Sequence, residues 1–146
     1  MKRRTFLLLP LAAALAACGK KKDPVQSVLD GVVAAAEKGD ASGLMAFVAE
    51  DFKAANGESR ADAELNTKRY LMAYDGLKVT LRDVKVDKGG GGGAFVTFRA
   101  DIAGTPKNIG GLAAYLPSSG SYRFELRLVE SDGRMKIAWA SWQGVE

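Results

Sequence analysis

The chain has 146 residues with one cysteine, no histidine and a formal net charge of +4. That inventory excludes the usual zinc and other soft-metal sites, which need clustered cysteine and histidine. Six of the 21 basic side chains fall within the first 22 residues, so the remainder carries 15 basic against 17 acidic groups and lacks the basic footprint of a nucleic-acid partner.

Lys2, Arg3 and Arg4 make a positive start, and an apolar run follows over residues 5–14. Such a run is too short to cross a bilayer as a mature helix, which takes about twenty residues. A basic start, a short apolar core and small residues after it compose a secretory signal. Leu15-Ala16-Ala17-Cys18-Gly19 resembles the lipobox of bacterial lipoproteins. The resemblance implies cleavage between Ala17 and Cys18, a diacylglycerol on the Cys18 thiol, and attachment to a membrane through that lipid. The chemistry agrees. A lone thiol in an oxidising compartment invites intermolecular disulfides, and thioether formation removes the hazard. Several acyl chains also anchor stably where one is marginal. Arg3-Arg4-Thr5-Phe6-Leu7 resembles a twin-arginine signal as well, but its n-region is very short, which favours the general secretory route.

Residues 19–23 form a tether that reaches roughly 17 Å at full stretch. Lys20, Lys21 and Lys22 each add on the order of 1 kcal/mol beside an anionic surface. Gly19 rather than Asp follows the cysteine, which by the same resemblance points to the outer membrane. The expected division is a signal over 1–17, a lipidated cysteine and basic tether over 18–23, and one domain over 24–146. No second apolar span follows.

Asp23 and Pro24 open the first helix as N-cap and first helical residue, with Gln26 at the capping-box position. Val25, Val28, Leu29, Val32, Val33 and Ala36 lie on one face, and Gly39 stops the helix. Asp40 caps a shorter helix with Leu44, Phe47 and Val48 on one side. Ser59 and Asp62 begin a third helix. Its stripes are Ala63, Thr67, Tyr70, Leu71 and Tyr74, and Ala61, Leu65 and Met72, so a wide buried face is expected, ending at Asp75-Gly76.

The period then changes to two. Val79 and Leu81 alternate, and Val84 and Val86 alternate in the opposite phase, which predicts a bulge near Arg82-Asp83. Residues 89–93 are five glycines, a flexible hairpin loop; with no Gly-Lys-Ser/Thr and no helix after them they are not a phosphate cradle. Ala94, Val96, Phe98, Ala100 and Ile102 face one way. A long loop is expected from Gly104 to Gly120, with Ile109, Leu112, Tyr115 and Leu116 inside it. Tyr122, Phe124, Leu126 and Leu128 face inward, against Arg123, Glu125 and Arg127. Ser131-Asp132-Gly133 signals a tight turn. In the last strand Ile137, Trp139 and Ser141 are expected inward.

Three helices and then four antiparallel strands make an α+β order, with one apolar sheet face for the helices and one charged face for water. "VVAAAEKGDASGLMAFVAEDF", the long third helix and the closing "YRFELRLVESDGRMKIAWASWQ" together resemble the nuclear transport factor 2-like superfamily. That resemblance covers nearly the whole domain. It implies a cystatin-like cone: N-terminal helices packed on a curved antiparallel four-stranded sheet. Members include isomerases, dehydratases and polyketide cyclases alongside binding and association modules, so the fold decides little about function.

Enzymes of this fold typically use an inward Asp, often helped by His or Tyr. Here Asp101 and Glu125 fall on the polar strand phase, Asp83 at the bulge, Asp75 at a helix end and Glu130 at a strand tip. No inward pair divides acid and base roles, and no catalytic residue carries over. What remains inside is aromatic. Tyr70, Tyr74, Phe98, Phe124 and Trp139 form either core or the wall of a small apolar pocket, between the third helix and the concave sheet, with the loop bearing Tyr115 and Leu116 as its lid.

The expected protein is a lipid-anchored, non-catalytic domain on the periplasmic side of the envelope. It binds a small apolar ligand or another envelope protein, without a cofactor or metal. The alternatives are a homo-association module and an isomerase- or dehydratase-like enzyme. The charged outer phase (Thr97, Arg99, Asp101, Arg123, Glu125, Arg127) argues against a large obligate dimer interface, so a monomer or weak dimer is expected. Cys18→Ser should block lipidation and leave precursor unprocessed. Metabolic labelling with a fatty acid checks this, and wild-type labelling of the variant would sink the anchor.

Overall fold

The computed structural model describes residues 23–109, 111 and 116–145. The elements run α1 (Pro24–Glu37), α2 (Ala41–Met45), β1 (Val48–Ala54), α3 (Arg60–Met72), β2 (Tyr74–Asp87), β3 (Ala94–Pro106), β4 (Ser119–Ser131) and β5 (Arg134–Gly144). One sheet takes all five strands in the order β1-β5-β4-β3-β2. It is mixed: β1 runs parallel to β5, and the other neighbours are antiparallel. The helices pack on one of its faces.

The caps act as the sequence foretells, with one substitution of partners. The Asp23 carboxylate accepts from the Val25 N–H at 2.8 Å, ahead of Pro24. Gln26 does not close a capping box; its amide donates to Asp30 at 2.8 Å. Asp40 caps α2 by accepting from the Gly43 N–H. Ser59 and Asp62 form the full reciprocal box at the start of α3.

Four expectations are corrected. The sheet has five strands, not four. The short apolar set Leu44, Phe47 and Val48 reads as a helix face, but α2 stops at Met45 and the chain turns into β1. The turn is secured from outside: the Ile137 N–H donates to the Phe47 carbonyl at 2.8 Å, and Val48 pairs with Ile137. Phe47 then lies against Gly31 of α1, where an added Cβ would sit 2.2 Å from the ring. Only a glycine admits that approach.

The second correction concerns α3. The helix ends at Met72, so Tyr74 begins β2 instead of continuing the helical stripe. Leu65 and Met72 are 48% and 65% exposed, so the second stripe is not buried; Leu71 is the residue that α3 buries fully. Third, the expected loop over 104–120 is shorter, because β3 runs to Pro106 and β4 starts at Ser119. The Gly104 N–H still donates to the Ser118 carbonyl, which continues the ladder into the glycines.

Fourth, β5 changes phase. Leu128 pairs with Ile137 but Arg127 pairs with Trp139, which leaves Ala138 as an extra residue. This bulge returns Ala140 to the buried face and puts Trp139 on the outer one. The β2 bulge lies where the phase slip predicts it: the register shifts between Arg82 and Lys85, and Asp83 has φ 53°. Asp132 and Gly133 both take positive φ, 52° and 74°, as a two-residue turn of the type I′ kind requires.

The main core joins Val25, Val28 and Leu29 of α1 to Val96, Phe98, Leu126 and Leu128 of the sheet, with Phe52 and Ile137 at its far side. Val96 and Leu128 are wholly buried. A smaller cluster of Leu71, Tyr74 and Leu77 packs with Ala36, Ile102 and Leu116. Leu128→Ala should cost about 2 to 5 kcal/mol in urea melts. Arg123→Ala on the outer face should stay within about 0.5 kcal/mol. The reverse order would mean that the sheet faces are exchanged.

Candidate functional site

The helix-facing side of β3 and β4 gathers the aromatic residues. Phe98 and Phe124 are cross-strand partners, stacked with ring centroids 5.2 Å apart. Tyr122 stands 6.4 Å from Phe124. Tyr70, from the last turn of α3, meets Tyr74 at 5.1 Å although the two now belong to different elements. The Tyr74 hydroxyl donates to the Pro117 carbonyl at 2.9 Å, tying β2 to the segment before β4. Tyr70 and Tyr74 form one pair and Phe98 and Phe124 another, the first beside the smaller core cluster and the second in the main one.

Trp139 does not join them. The β5 bulge puts it on the outer face, where the Arg127 guanidinium lies 5.6 Å above its ring. Trp142 takes its place, opposite Phe124 and 6.5 Å from it. Tyr122 and Trp142 are thus the members of this cluster that the sequence reading left out. Inward phase was signal enough for Tyr122, but nothing in the sequence marks the bulge that admits Trp142. Tyr115, Cys18 and Ala17 lie outside the described residues.

The Tyr70 and Tyr74 hydroxyls are weak acids. Burial pushes Tyr70 up to about 12, and the neighbouring Tyr122 and Tyr74 phenols add to it. Burial also raises Tyr74, with Tyr122 as the second cause. Phenols of this kind stay neutral at physiological pH and act as hydrogen-bonding handles, not as bases. The inward strand positions near them are Ala94, Val96, Ala100, Ile102, Leu126 and Leu128, with no carboxylate among them. Among the described residues no acidic cluster suited to a metal ion occurs.

A solvent-open cleft of about 740 Å³ sits between the start of α1, Phe47 and the tips of the two hairpins β2–β3 and β4–β5. Its apolar wall includes Val25, Val28, Phe47, Ala94 and Met135, and its rim carries Lys88, Glu130, Arg134 and Lys136. Lys88 reaches across to Asp23 at 3.0 Å and so fixes the glycine hairpin to the helix cap. That hydrogen bond, more than any other contact, holds the Asp23 carboxyl below its ordinary range. Tyr70, Tyr74, Phe98, Phe124 and Trp139 do not line this cleft. A second, smaller hollow of about 210 Å³ lies on the outer face around Asp101 and Ser121.

No known family profile matches this chain, and no curated protein does. Solved structures match its fold. A provisional scytalone dehydratase from Novosphingobium aromaticivorans aligns at TM-score 0.72 and 12% identity, over 84% of this chain and 83% of that one. A provisional calcium/calmodulin-dependent protein kinase II association domain from Xanthomonas campestris aligns at 0.69 and 18%, over 89% and 93%. A nuclear transport factor 2-like protein from Cytophaga hutchinsonii aligns at 0.66 and 14%, over 86% and 99%. At these identities the likeness shows the fold: this chain has the nuclear transport factor 2-like, cystatin-like architecture.

The Tyr70 shift has a sign that can be tested. Its folded value lies above the ordinary 10.0, so its contribution to stability is complete below about pH 10 and is lost as pH rises towards 12. Tyr70→Phe should flatten that alkaline loss in denaturant melts. An unchanged alkaline slope would show that Tyr70 titrates as a free phenol.

Proposed function

We propose that this protein is a lipid-anchored, non-catalytic binding module of the bacterial cell envelope, and that the cleft at the start of α1 takes a small ligand with an apolar body and an anionic head. The single observation that carries the ligand is the cleft itself. Its volume, about 740 Å³, falls in the range of small-molecule sites. Its floor is the apolar start of α1, and its rim sets Lys88, Arg134 and Lys136 against Asp23 and Glu130, a net of +1. Among the described residues neither Arg134 nor Lys136 has an ion-pair partner. An anionic head group would supply one, while an apolar body would cover Met135 and Phe47.

The anchoring half of the reading rests on Cys18 and the residues before it. The non-catalytic half is supported by the inward sheet face, which offers phenols and apolar side chains where acid–base chemistry needs a carboxylate or imidazole. The neighbour named as a dehydratase supports the enzymatic alternative by fold alone, and the neighbour named as an association domain supports self-assembly in the same limited way. An envelope-protein partner is the remaining alternative.

Anilinonaphthalene sulfonate, an aromatic body with an anionic head, should bind the native chain saturably and raise its melting temperature. Met135→Trp, which fills the cleft, and Lys136→Glu, which reverses its rim charge, should each weaken binding by about tenfold or more. Leu65→Ala, on the exposed side of α3, should leave it unchanged. Equal binding by all four proteins would place the ligand elsewhere.

A further inference from the structure

The outer sheet face carries a row of arginines. The strand register sets Arg82 opposite Arg99 and Arg99 opposite Arg123. Three guanidinium groups therefore start side by side on three neighbouring strands, each about 4.8 Å from the next. Like charges directly opposite each other destabilise a sheet. Asp101 answers only one of them: it pairs with Arg82 at 2.6 Å and accepts from the Ser121 hydroxyl at 2.6 Å. Among the described residues the Arg99 and Arg123 guanidinium groups have neither a hydrogen-bond nor an ion-pair partner.

The rest of the face extends the same character. Towards the hairpin tips a parallel row runs Asp87, Phe95, Arg127, Trp139 and Lys53. Over the patch around these two rows, Lys53, Arg82, Lys85, Arg99, Arg123 and Arg127 oppose Asp87, Asp101 and Glu125, a net of +3. The remainder of residues 23–146 then carries 9 basic and 14 acidic side chains, a net of −5. The patch is thus positive against a negative remainder, and it bears two large aromatic residues, Phe95 and Trp139.

We infer that this face lies against an anionic lipid surface, with Arg82, Arg99 and Arg123 meeting lipid phosphates and Phe95 and Trp139 at headgroup depth. The inference rests on the lipid-anchored reading above. Three features select this occupant. Guanidinium groups pair with phosphate oxygens in a fork geometry. Tryptophan and basic side chains together mark membrane interfaces. The tether also leaves from the right place: Asp23 is bonded to Lys88, which directly follows Asp87 in the aromatic row. A short tether from that corner brings the membrane beside this face. A second copy fits poorly, because a two-fold pair would set the same basic patch against itself.

The test uses the full lipidated chain with Trp142→Phe, which leaves Trp139 as the sole tryptophan, reconstituted into phosphatidylglycerol or phosphatidylcholine vesicles. Acrylamide quenching of Trp139 should be about twofold weaker on phosphatidylglycerol, and the difference should vanish at about 0.5 M salt. It should also vanish in Arg99→Ala/Arg123→Ala, whose melting temperature verifies its fold. Equal quenching on both lipids overturns the inference. So does shielding that depends on protein density instead of lipid charge, which would assign the face to a second copy. Shielding that poly-glutamate supplies on phosphatidylcholine, while phosphatidylglycerol supplies none, would assign it to an acidic chain. Flotation of the same samples reads the anchor separately: a chain that floats with neither vesicle removes the reading on which the inference stands.

Discussion

Val96 and Leu128 meet on adjacent strands at the centre of the sheet, out of contact with water. Their position depends on strict two-residue alternation along β3 and β4, and most of the architecture follows from it. With every second residue apolar, the sheet has one face that must be covered, and α1 covers it through Val25, Val28 and Leu29. The other face must then be polar, and it holds the charges. A slip of one residue in this pairing would exchange the two faces at once. The long antiparallel ladder from Ala94↔Leu128 to Ala103↔Ser119 prevents it, since shifting it would break every pair together.

Two bulges work within that frame, and both decide which face a side chain takes. The β2 bulge at Asp83 lets a strand of 14 residues keep Leu81 and Val86 on the same face despite their odd spacing. The β5 bulge at Ala138 exchanges the two tryptophans, so that one joins the aromatic cluster and the other sits beneath Arg127. The outer face therefore owes its interfacial tryptophan to a single inserted residue.

The cleft and the aromatic cluster lie apart, and the ladder explains that too. Aromatic residues concentrate on β3 and β4 where α3 ends, and they fill that part of the cone with rings about 5 to 6.5 Å apart. Among the described residues an open cleft lies near the hairpin tips. There the glycine run over 89–93 has no side chains to contribute, and Lys88 bridges to Asp23 across the gap.

Local chemistry made much of this legible in the sequence. Caps at Asp23, Asp40 and Ser59, the turn at Asp132-Gly133, the bulge at Asp83 and the inward phase of β3 and β4 all depend on residues within a few positions of each other. The lipobox-like run at Cys18 is equally local. Long-range pairing decided the rest. β1 is a strand because Ile137 and Ala140 reach it from the far end of the chain, and its own residues alternate too poorly to announce it. Trp139 and Trp142 exchange faces because β5 must match β4 around an extra alanine. The row of Arg82, Arg99 and Arg123 exists only once three strands are in register. Such a row leaves no periodic trace, because its members are 17 and 24 residues apart in the chain and become neighbours only through the ladder's hydrogen bonds.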